Sequence, residues 1–366
     1  MRINLYGQRN PLGGGVHFSG FCDALKAISC LSPAISEYDY FSEADFSACM
    51  KSVGHDDVNI HFINYTHLDS AGCPNKWRKL PGFNIHWAIF ETTVLHKEAI
   101  SWYQGADAVF VPSHWGKDVL INNGINPSQI EVIPEGMDPS QFHPLLRSCY
   151  EKNDAFRVLV IGKFEPRKGF PELLEGFCGA FGSENNVKLI LKSDSLYLNG
   201  QAYTDNLAKL NEQISSFGFS NYELVTGALS VEDIFHLYNY CDVLLFPSRA
   251  EGWGLPLLEA IACGMPVITT NYSGHTEFLA PITKLVKTVD HNIVANHPLG
   301  VWAVADPSQI ADALIELKNN YGKYQTQAME AAKIMRLEFS WANSAEKCLH
   351  FLIKKGVFSP SFSIGI

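Results

Sequence analysis

Apolar positions along the chain fall into two patterns that alternate from one end to the other. Short, nearly continuous apolar runs lie at 3–6, 58–64, 83–90, 106–113, 130–138, 156–162, 187–191, 223–226, 242–246 and 267–269. Longer stretches between them repeat their apolar positions every three or four residues. The short runs predict strands, and the continuity of Val158-Leu159-Val160-Ile161 suits a parallel strand covered on both faces. The longer stretches predict helices, among them Val16 to about Leu31, 203–217 and a helix to Tyr240. Ser230 caps the last of these, with Asp233 three residues on as in a capping box. Strands alternating with helices predict doubly wound α/β sheets. Residues 281–300 read as an irregular loop, and Trp302 to Pro307 as the lead-in to amphipathic helices.

A chain of 366 residues exceeds one typical core and divides in two. The expected division is a first domain over 1–150, a second over 151–338 and a final helix over 339–366 that opens at Phe339-Ser340-Trp341. The charged stretch from Arg147 to Asp154 is the expected linker.

Composition narrows the class. Hydrophobic residues make up 46% and charged residues 18%, as in a globular protein, and the formal net charge is −10 without a dense Lys/Arg run. That balance argues against nucleic acid as a partner. The nine cysteines (22, 30, 49, 73, 149, 178, 241, 263 and 348) include no C-x-x-C pair, which fits reduced thiols in a cytoplasmic setting. Met-Arg-Ile-Asn-Leu-Tyr-Gly reads as a strand and not as a signal peptide, and no apolar run approaches the ~18 residues of a membrane span. Peripheral contact with the inner face of a membrane stays compatible with this, and the sequence carries no signal for oligomeric state.

The candidate chemistry gathers in Ser248-Arg249-Ala250-Glu251-Gly252-Trp253-Gly254-Leu255-Pro256-Leu257-Leu258-Glu259-Ala260. A strand feeds a two-glycine turn, and Pro256 suits the first position of a helix because its missing amide would be unpaired there. Gly264 and Pro266 stop that helix. The amides of Trp253, Gly254 and Leu255 should cluster at the helix start, a site for an anion such as a diphosphate. Glu251 lies on the turn and Glu259 eight positions on, inside the helix. Two acceptors flanking an anion site can hold a polyol at both ends. Lys163 and Lys168 follow the strand ending at Gly162 and can neutralise a diphosphate, whereas Arg167 is expected to point outward. Gly13-Gly14-Gly15 link the first strand to the first helix and allow close backbone approach. Glu91 ends the strand at 83–90; it either faces a ligand or caps the next helix with Thr92. Asp107 and Asp138 read as acids that bond local backbone.

The string around Glu251 resembles the E-x7-E signature of retaining glycosyltransferases of the family-4 type (group 1), with Trp253 in place of the usual phenylalanine. Ala106 to Ser113, Ile130 to Asp138 and Lys163 to Lys168 resemble further segments of that family, Lys163 standing where an arginine is more usual. The resemblance implies the GT-B fold, two doubly wound Rossmann-like domains facing a cleft, with the final helix crossing back to the first domain. It implies transfer of a sugar from a UDP- or GDP-linked donor, with retention, to a hydroxyl of a glycan, lipid-linked or small-molecule acceptor. In that reading Lys168, Lys163 and helix-end amides stabilise the leaving diphosphate. Glu251 with Trp253 and Gly254 holds the sugar, and Glu259 holds the ribose. The backbone at Thr226 to Leu229 shelters the base, Gly14 and Gly15 face the donor phosphate, and Glu91 lies on the acceptor side. No Asp-x-Asp and no H-E-x-x-H occurs, so no metal and no cofactor beyond the donor is expected. Two alternatives stand beside it: a nucleotide-sugar epimerase of the same architecture, and a non-catalytic relative that only binds nucleotide-sugar.

Overall fold

The computed structural model describes residues 2–28, 35–64, 77, 80–145, 155–182, 184–193, 195, 198, 200–295 and 300–358. The expected linker at 147–154 lies outside them. The chain forms two compact units, one of Met1–Met137, Pro298–Gly300 and Phe339–Ile366, the other of Asp138–His297 and Val301–Glu338.

The first unit contains β1 (Ile3–Gly7), α1 (Gly13–Ala27), β2 (Ile35–Asp39), α2 (Glu43–Ser52), β3 (Val58–Asn64), β4 (Phe83–Ile89), α3 (Lys97–Gln104), β5 (Ala108–Val111), α4 (His114–Asn122) and β6 (Ile130–Val132). Its sheet runs β2-β1-β3-β4-β5-β6 with every pair parallel. Tyr6, Trp77, Ala88, Trp102, Val109 and Val111 belong to the core beneath it. Asp138 accepts the Ser140 amide at 2.8 Å, the local backbone bonding expected of it, whereas Asp107 accepts the amide of Asn84, 23 residues earlier, at 2.7 Å.

Two boundaries differ from expectation. The three glycines are not a loop before α1 but its first turn, and α1 ends at Ala27. Gly15 is buried there because a Cβ would sit 2.3 Å from the Asn10 carbonyl oxygen, so packing on the preceding turn already accounts for this glycine. Glu91-Thr92-Thr93 does not begin a helix. The Thr92 hydroxyl donates to the Val94 carbonyl at 3.1 Å, and α3 starts at Lys97 behind an N-cap at His96.

The second unit contains β7 (Phe156–Ile161), α5 (Phe170–Phe181), β8 (Val187–Lys192), α6 (Gly200–Ser216), β9 (Tyr222–Leu224), α7 (Val231–Tyr240), β10 (Val243–Phe246), α8 (Leu255–Ala262), β11 (Val267–Thr270), α9 (Thr276–Leu279), β12 (Lys287–Val289), β13 (His291–Ala295), β14 (Val301–Ala305), α10 (Pro307–Asn319) and α11 (Tyr321–Glu338). Its main sheet runs β12-β11-β10-β7-β8-β9, again parallel throughout. Val158, Val160, Leu189, Leu191, Val243 and Leu245 pack with Leu173, Leu174 and Phe177 of α5 and Ile310 and Leu314 of α10. The capping box at Ser230 and Asp233 forms as expected.

The loop expected at 281–300 is in part a strand pair. β13 runs antiparallel to β14, His291 opposite Ala305 and Ala295 opposite Val301. Four of the five residues of β13 are exposed, so a ladder with its neighbour defines this strand, and no inside-outside alternation announces it. Pro256 is the second residue of α8 and not the first, which Leu255 takes.

The last helix, α12 (Trp341–Lys354), belongs to the first unit. Ser340 caps it, and its neighbour Phe339 accepts the Met137 amide at 3.0 Å.

Candidate functional site

In the second unit β7 and β10 lie side by side where the strand order reverses: the chain leaves β7 toward β8 and β9 on one side, and β10 toward β11 and β12 on the other. Ligands of open parallel sheets gather at the carboxyl ends of strands at such a point. Two turns leave it there, Gly162 to Gly169 after β7 and Pro247 to Gly254 after β10.

The turns touch through backbone. Gly169 has φ 69°, in the left-handed region, and a Cβ there would approach the Pro247 carbonyl oxygen to 2.6 Å. The Arg249 amide donates to the Arg167 carbonyl at 2.8 Å. Across this seam the side chains form an ion cluster. Lys168 Nζ donates to Glu251 Oε1 at 2.6 Å, and Ser248 donates its hydroxyl to the same oxygen. Arg167 Nη1 lies 2.8 Å from Glu251 Oε2 and 2.9 Å from the Ala250 carbonyl oxygen. The Lys168 ammonium also stands 5.0 Å from the centre of the Phe246 ring, a cation–π distance. A Cβ on Gly162 would come within 3.2 Å of Lys168 Cε, so this glycine leaves the lysine stem its path.

Burial raises the Glu251 pKa, but Arg167, Lys168 and the two hydrogen bonds outweigh it and hold the carboxyl at about 2. The backbone of Glu251 is fixed as well. Its amide donates to Ser273 Oγ at 2.8 Å, and its carbonyl accepts the Gly274 amide at 2.9 Å.

The structure brings Lys168 and Glu251 together and adds Arg167, which does not point outward: its side chain is 14% exposed. No local sequence signal marks it, because the buried carboxylate that it meets lies 84 positions on. Lys163 is not on Glu251. It is 38% exposed and lies 3.8 Å from Glu165 Oε1, while Glu165 Oε2 lies 3.5 Å from Arg167 Nη2.

Glu259 occupies α8, half-buried, and accepts a hydrogen bond from the Tyr238 hydroxyl at 3.0 Å. Burial pushes its carboxyl up to about 8, against the downward pull of that bond. Gly254, with φ 99°, is the N-cap of α8, and its carbonyl accepts the amides of Leu257 and Leu258 at 3.0 and 3.2 Å. The Gly254 and Leu255 amides thus open the helix as expected. The Trp253 side chain is buried, its ring centre 5.0 Å from that of Phe278, edge on. Thr226 and Leu229 lie on the loop from β9 into α7, Thr226 exposed, and α7 is the helix that carries Tyr238. His275 and Ser273, not singled out from sequence, support the Glu251 turn. His275 is buried neutral and its Nε2 sits 2.7 Å from the Thr270 carbonyl oxygen.

The remaining expected residues belong to the first unit. Gly14 and Gly15 lie in the first turn of α1, and Glu91 is half-buried at the carboxyl end of β4. Glu91 lies near the buried Glu135, whose carboxyl is raised well above the ordinary range by burial and by that neighbouring charge.

The backbone matches solved structures along nearly its whole length. Sucrose-phosphate synthase from Thermosynechococcus elongatus superposes with a TM-score of 0.73 at 17% identity, over 98% of this chain and 100% of that one. The Anabaena protein HepE, solved with UDP and glucose, gives 0.70 at 14% identity, over 97% and 100%. These likenesses, with two doubly wound Rossmann-like units, define a GT-B protein. The family of glycosyl transferases group 1 matches residues 147–335, and the chain belongs to that family. Mannosylfructose-phosphate synthase from Agrobacterium fabrum is 28% identical over 192 residues, 50% of this chain and 42% of that protein. The serotype-specific mannosyltransferase WbdA of Escherichia coli is 26% identical over 330 residues, 87% of this chain and 36% of that protein. The chain thus spans less than half the length of these two relatives. Among the described residues no helix is long and apolar enough to cross a membrane.

Proposed function

We propose that this chain is a retaining glycosyltransferase that moves a sugar from a nucleotide-sugar to an acceptor hydroxyl in glycan or polysaccharide biosynthesis. The observation that carries the reading is the Glu251 carboxylate, held ionised between Lys168 and Arg167 at the switch point of the second unit. A permanently charged acceptor beside cations at a helix start is suited to a sugar hydroxyl on one side and a diphosphate on the other.

Lys168, Lys163 and the Gly254 and Leu255 amides stabilise the leaving diphosphate in this reading. Glu251 holds the sugar, Glu259 the ribose hydroxyls, and the backbone at Thr226 to Leu229 the base. Gly14 and Gly15 face the donor phosphate, and Glu91 serves the acceptor side. The site works by positioning and charge stabilisation, with the lysines in the role a divalent ion would otherwise take. No cofactor beyond the donor is proposed.

Mannosyltransferases recur among the relatives, including a GDP-mannose-dependent phosphatidylinositol monomannoside mannosyltransferase of Mycobacterium tuberculosis, 23% identical over 77% of this chain. GDP-mannose is therefore the first donor we propose, before UDP-linked sugars. The acceptor is a glycan, a lipid-linked glycan or a small molecule. The protein acts in the cytoplasm, at the inner membrane face where the acceptor is lipid-linked. The epimerase alternative finds no support among these relatives.

Calorimetry with EDTA present, against GDP-mannose, UDP-glucose and UDP-GlcNAc, tests the reading. Saturable binding of one donor, lost in Glu259→Ala, is the expected result. Binding unaffected by Glu259→Ala would overturn the ribose role, and donor bound without turnover across an acceptor panel would favour the non-catalytic relative.

A further inference from the structure

Lys163, Glu165, Arg167, Glu251 and Lys168 form one chain of alternating charge. Lys163 meets Glu165 at 3.8 Å, Glu165 meets Arg167 at 3.5 Å, Arg167 meets Glu251 at 2.8 Å, and Glu251 meets Lys168 at 2.6 Å. Arg167 is its centre, a cation between two carboxylates, and its Nη1 also donates to the Ala250 carbonyl one residue before Glu251.

We propose that Arg167 is a positioning residue: its guanidinium holds Glu251 and, through Glu165, Lys163 in fixed relation, so that the sugar-directed carboxylate and both phosphate-directed lysines are set by one planar group. The inference rests on the donor-site reading above and adds to it a positioning role for Arg167 beyond neutralising Glu251.

Three features support the assignment. Glu251 Oε1 is served by Lys168 and Ser248, whereas Oε2 is served by Arg167, so the two cations divide the carboxylate between them. An arginine fork meets a carboxylate, a backbone carbonyl and a second carboxylate at fixed angles, which a lysine point charge does not. Its charge is also committed. When an anionic diphosphate draws on Lys168, the buried Glu251 still requires a cation to stay ionised, and Arg167 is the one already in contact. Apart from its side chain, Arg167 anchors the turn through its carbonyl, which accepts the Arg249 amide at 2.8 Å. A change of side chain leaves that bond available.

The test is a titration of the full-length, ligand-free protein labelled with 13C at the glutamate carboxyl, with the Glu251 signal identified by its loss in Glu251→Gln. In the wild type that signal stays ionised from pH 8 down to pH 4. In Arg167→Met its midpoint is expected to rise by about 2–3 pH units, into the window, the upper part of the range by which a nearby opposite charge shifts a carboxylate. Arg167→Lys keeps the charge and loses the fork, and serves as the second variant if Arg167→Met does not fold. It is expected to leave Glu251 ionised yet to lower kcat about tenfold or more at unchanged thermal stability.

A Glu251 signal that titrates alike in Arg167→Met and wild type, or Arg167→Lys turning over like wild type, would overturn the proposal. The titration needs no donor. Failure of the wild type to bind any nucleotide-sugar would therefore sink the donor reading while leaving the link between Arg167 and Glu251 separately decided.

Discussion

Tyr238 and Glu259, on α7 and α8, are joined by a 3.0 Å hydrogen bond from the phenol to a carboxyl that burial has pushed up to about 8. At pH 7 that carboxyl is mostly protonated. In the proposed role both of its oxygens accept from ribose hydroxyls, which favours the ionised form, so donor binding is expected to expel its proton. Calorimetry at pH 7 in phosphate and in Tris, buffers of different ionisation enthalpy, is expected to show release of about one proton per donor bound. Affinity should rise between pH 6 and 9. Identical enthalpies in both buffers would contradict ionisation of Glu259 on binding.

The same group sets a pH dependence of stability. The native state holds this proton more tightly than the unfolded chain, whose carboxyl keeps its ordinary value of 4.5. Between 4.5 and about 8 the native state binds more protons, so the contribution is full below that range and is lost as pH rises through it. Glu251 has the opposite sign: depressed to about 2, its contribution is present above 4.5 and is lost as pH falls toward 2. Melting temperatures recorded from pH 5 to 9 should fall for the wild type and fall less steeply in Glu259→Gln, where the raised carboxyl of Glu135 remains.

Removing Lys168 takes one of two cations from Glu251 and one charge from the proposed diphosphate site. Lys168→Met is expected to lower kcat by about 10²–10³-fold, the usual scale for losing one preorganised electrostatic group. Lys163→Met should cost less, because that side chain is 38% exposed and its charge is screened. Steady-state rates with saturating donor decide this. Equal losses in both variants would mean that Lys163 lies nearer the reacting atoms than its exposure indicates.

Trp253 departs from the family's usual phenylalanine at a position whose side chain packs on Phe278. Trp253→Phe should keep activity within a few-fold while lowering unfolding stability by about 0.5–3 kcal/mol, the range of most single substitutions. A loss of activity larger than the loss of stability would place the indole on the sugar.

Gly169→Ala forces a Cβ into the left-handed region and toward the Pro247 carbonyl. The conformation alone costs roughly 1–2 kcal/mol. The contact requires the turn after β7 to move away from the turn after β10. Denaturation midpoints should fall, and donor binding should weaken with them, because Lys168 is the preceding residue.

Much of this was legible in the sequence. The apolar runs of β7, β8, β10 and β11 are nearly uninterrupted because both faces of the sheet are covered, and a buried parallel strand announces itself that way. The spacing of Glu251 and Glu259 likewise follows from a turn and a helix start. What escaped was set by tertiary contact. Arg167 reads as a surface residue until its neighbour in space, 84 positions on, is known to be a buried carboxylate. β13 exposes Ile293 and Val294, so its pattern cannot tell a strand from a loop. The start of α1 was misplaced because glycines are poor helix formers whose propensity was overridden in the first turn.

The bonds from Glu251 to Ser273 and Gly274 on both sides of its α-carbon bear on what recognition costs. A sugar-binding acid on an unrestrained loop loses chain entropy each time a ligand arrives. Here the peptide groups on either side are already tied to the segment after β11, so that ordering is complete when the domain folds. Loosening the tie with Ser273→Ala should therefore act as an entropic handicap: weaker association whose penalty grows with temperature, with the proposed bonds to the sugar unchanged.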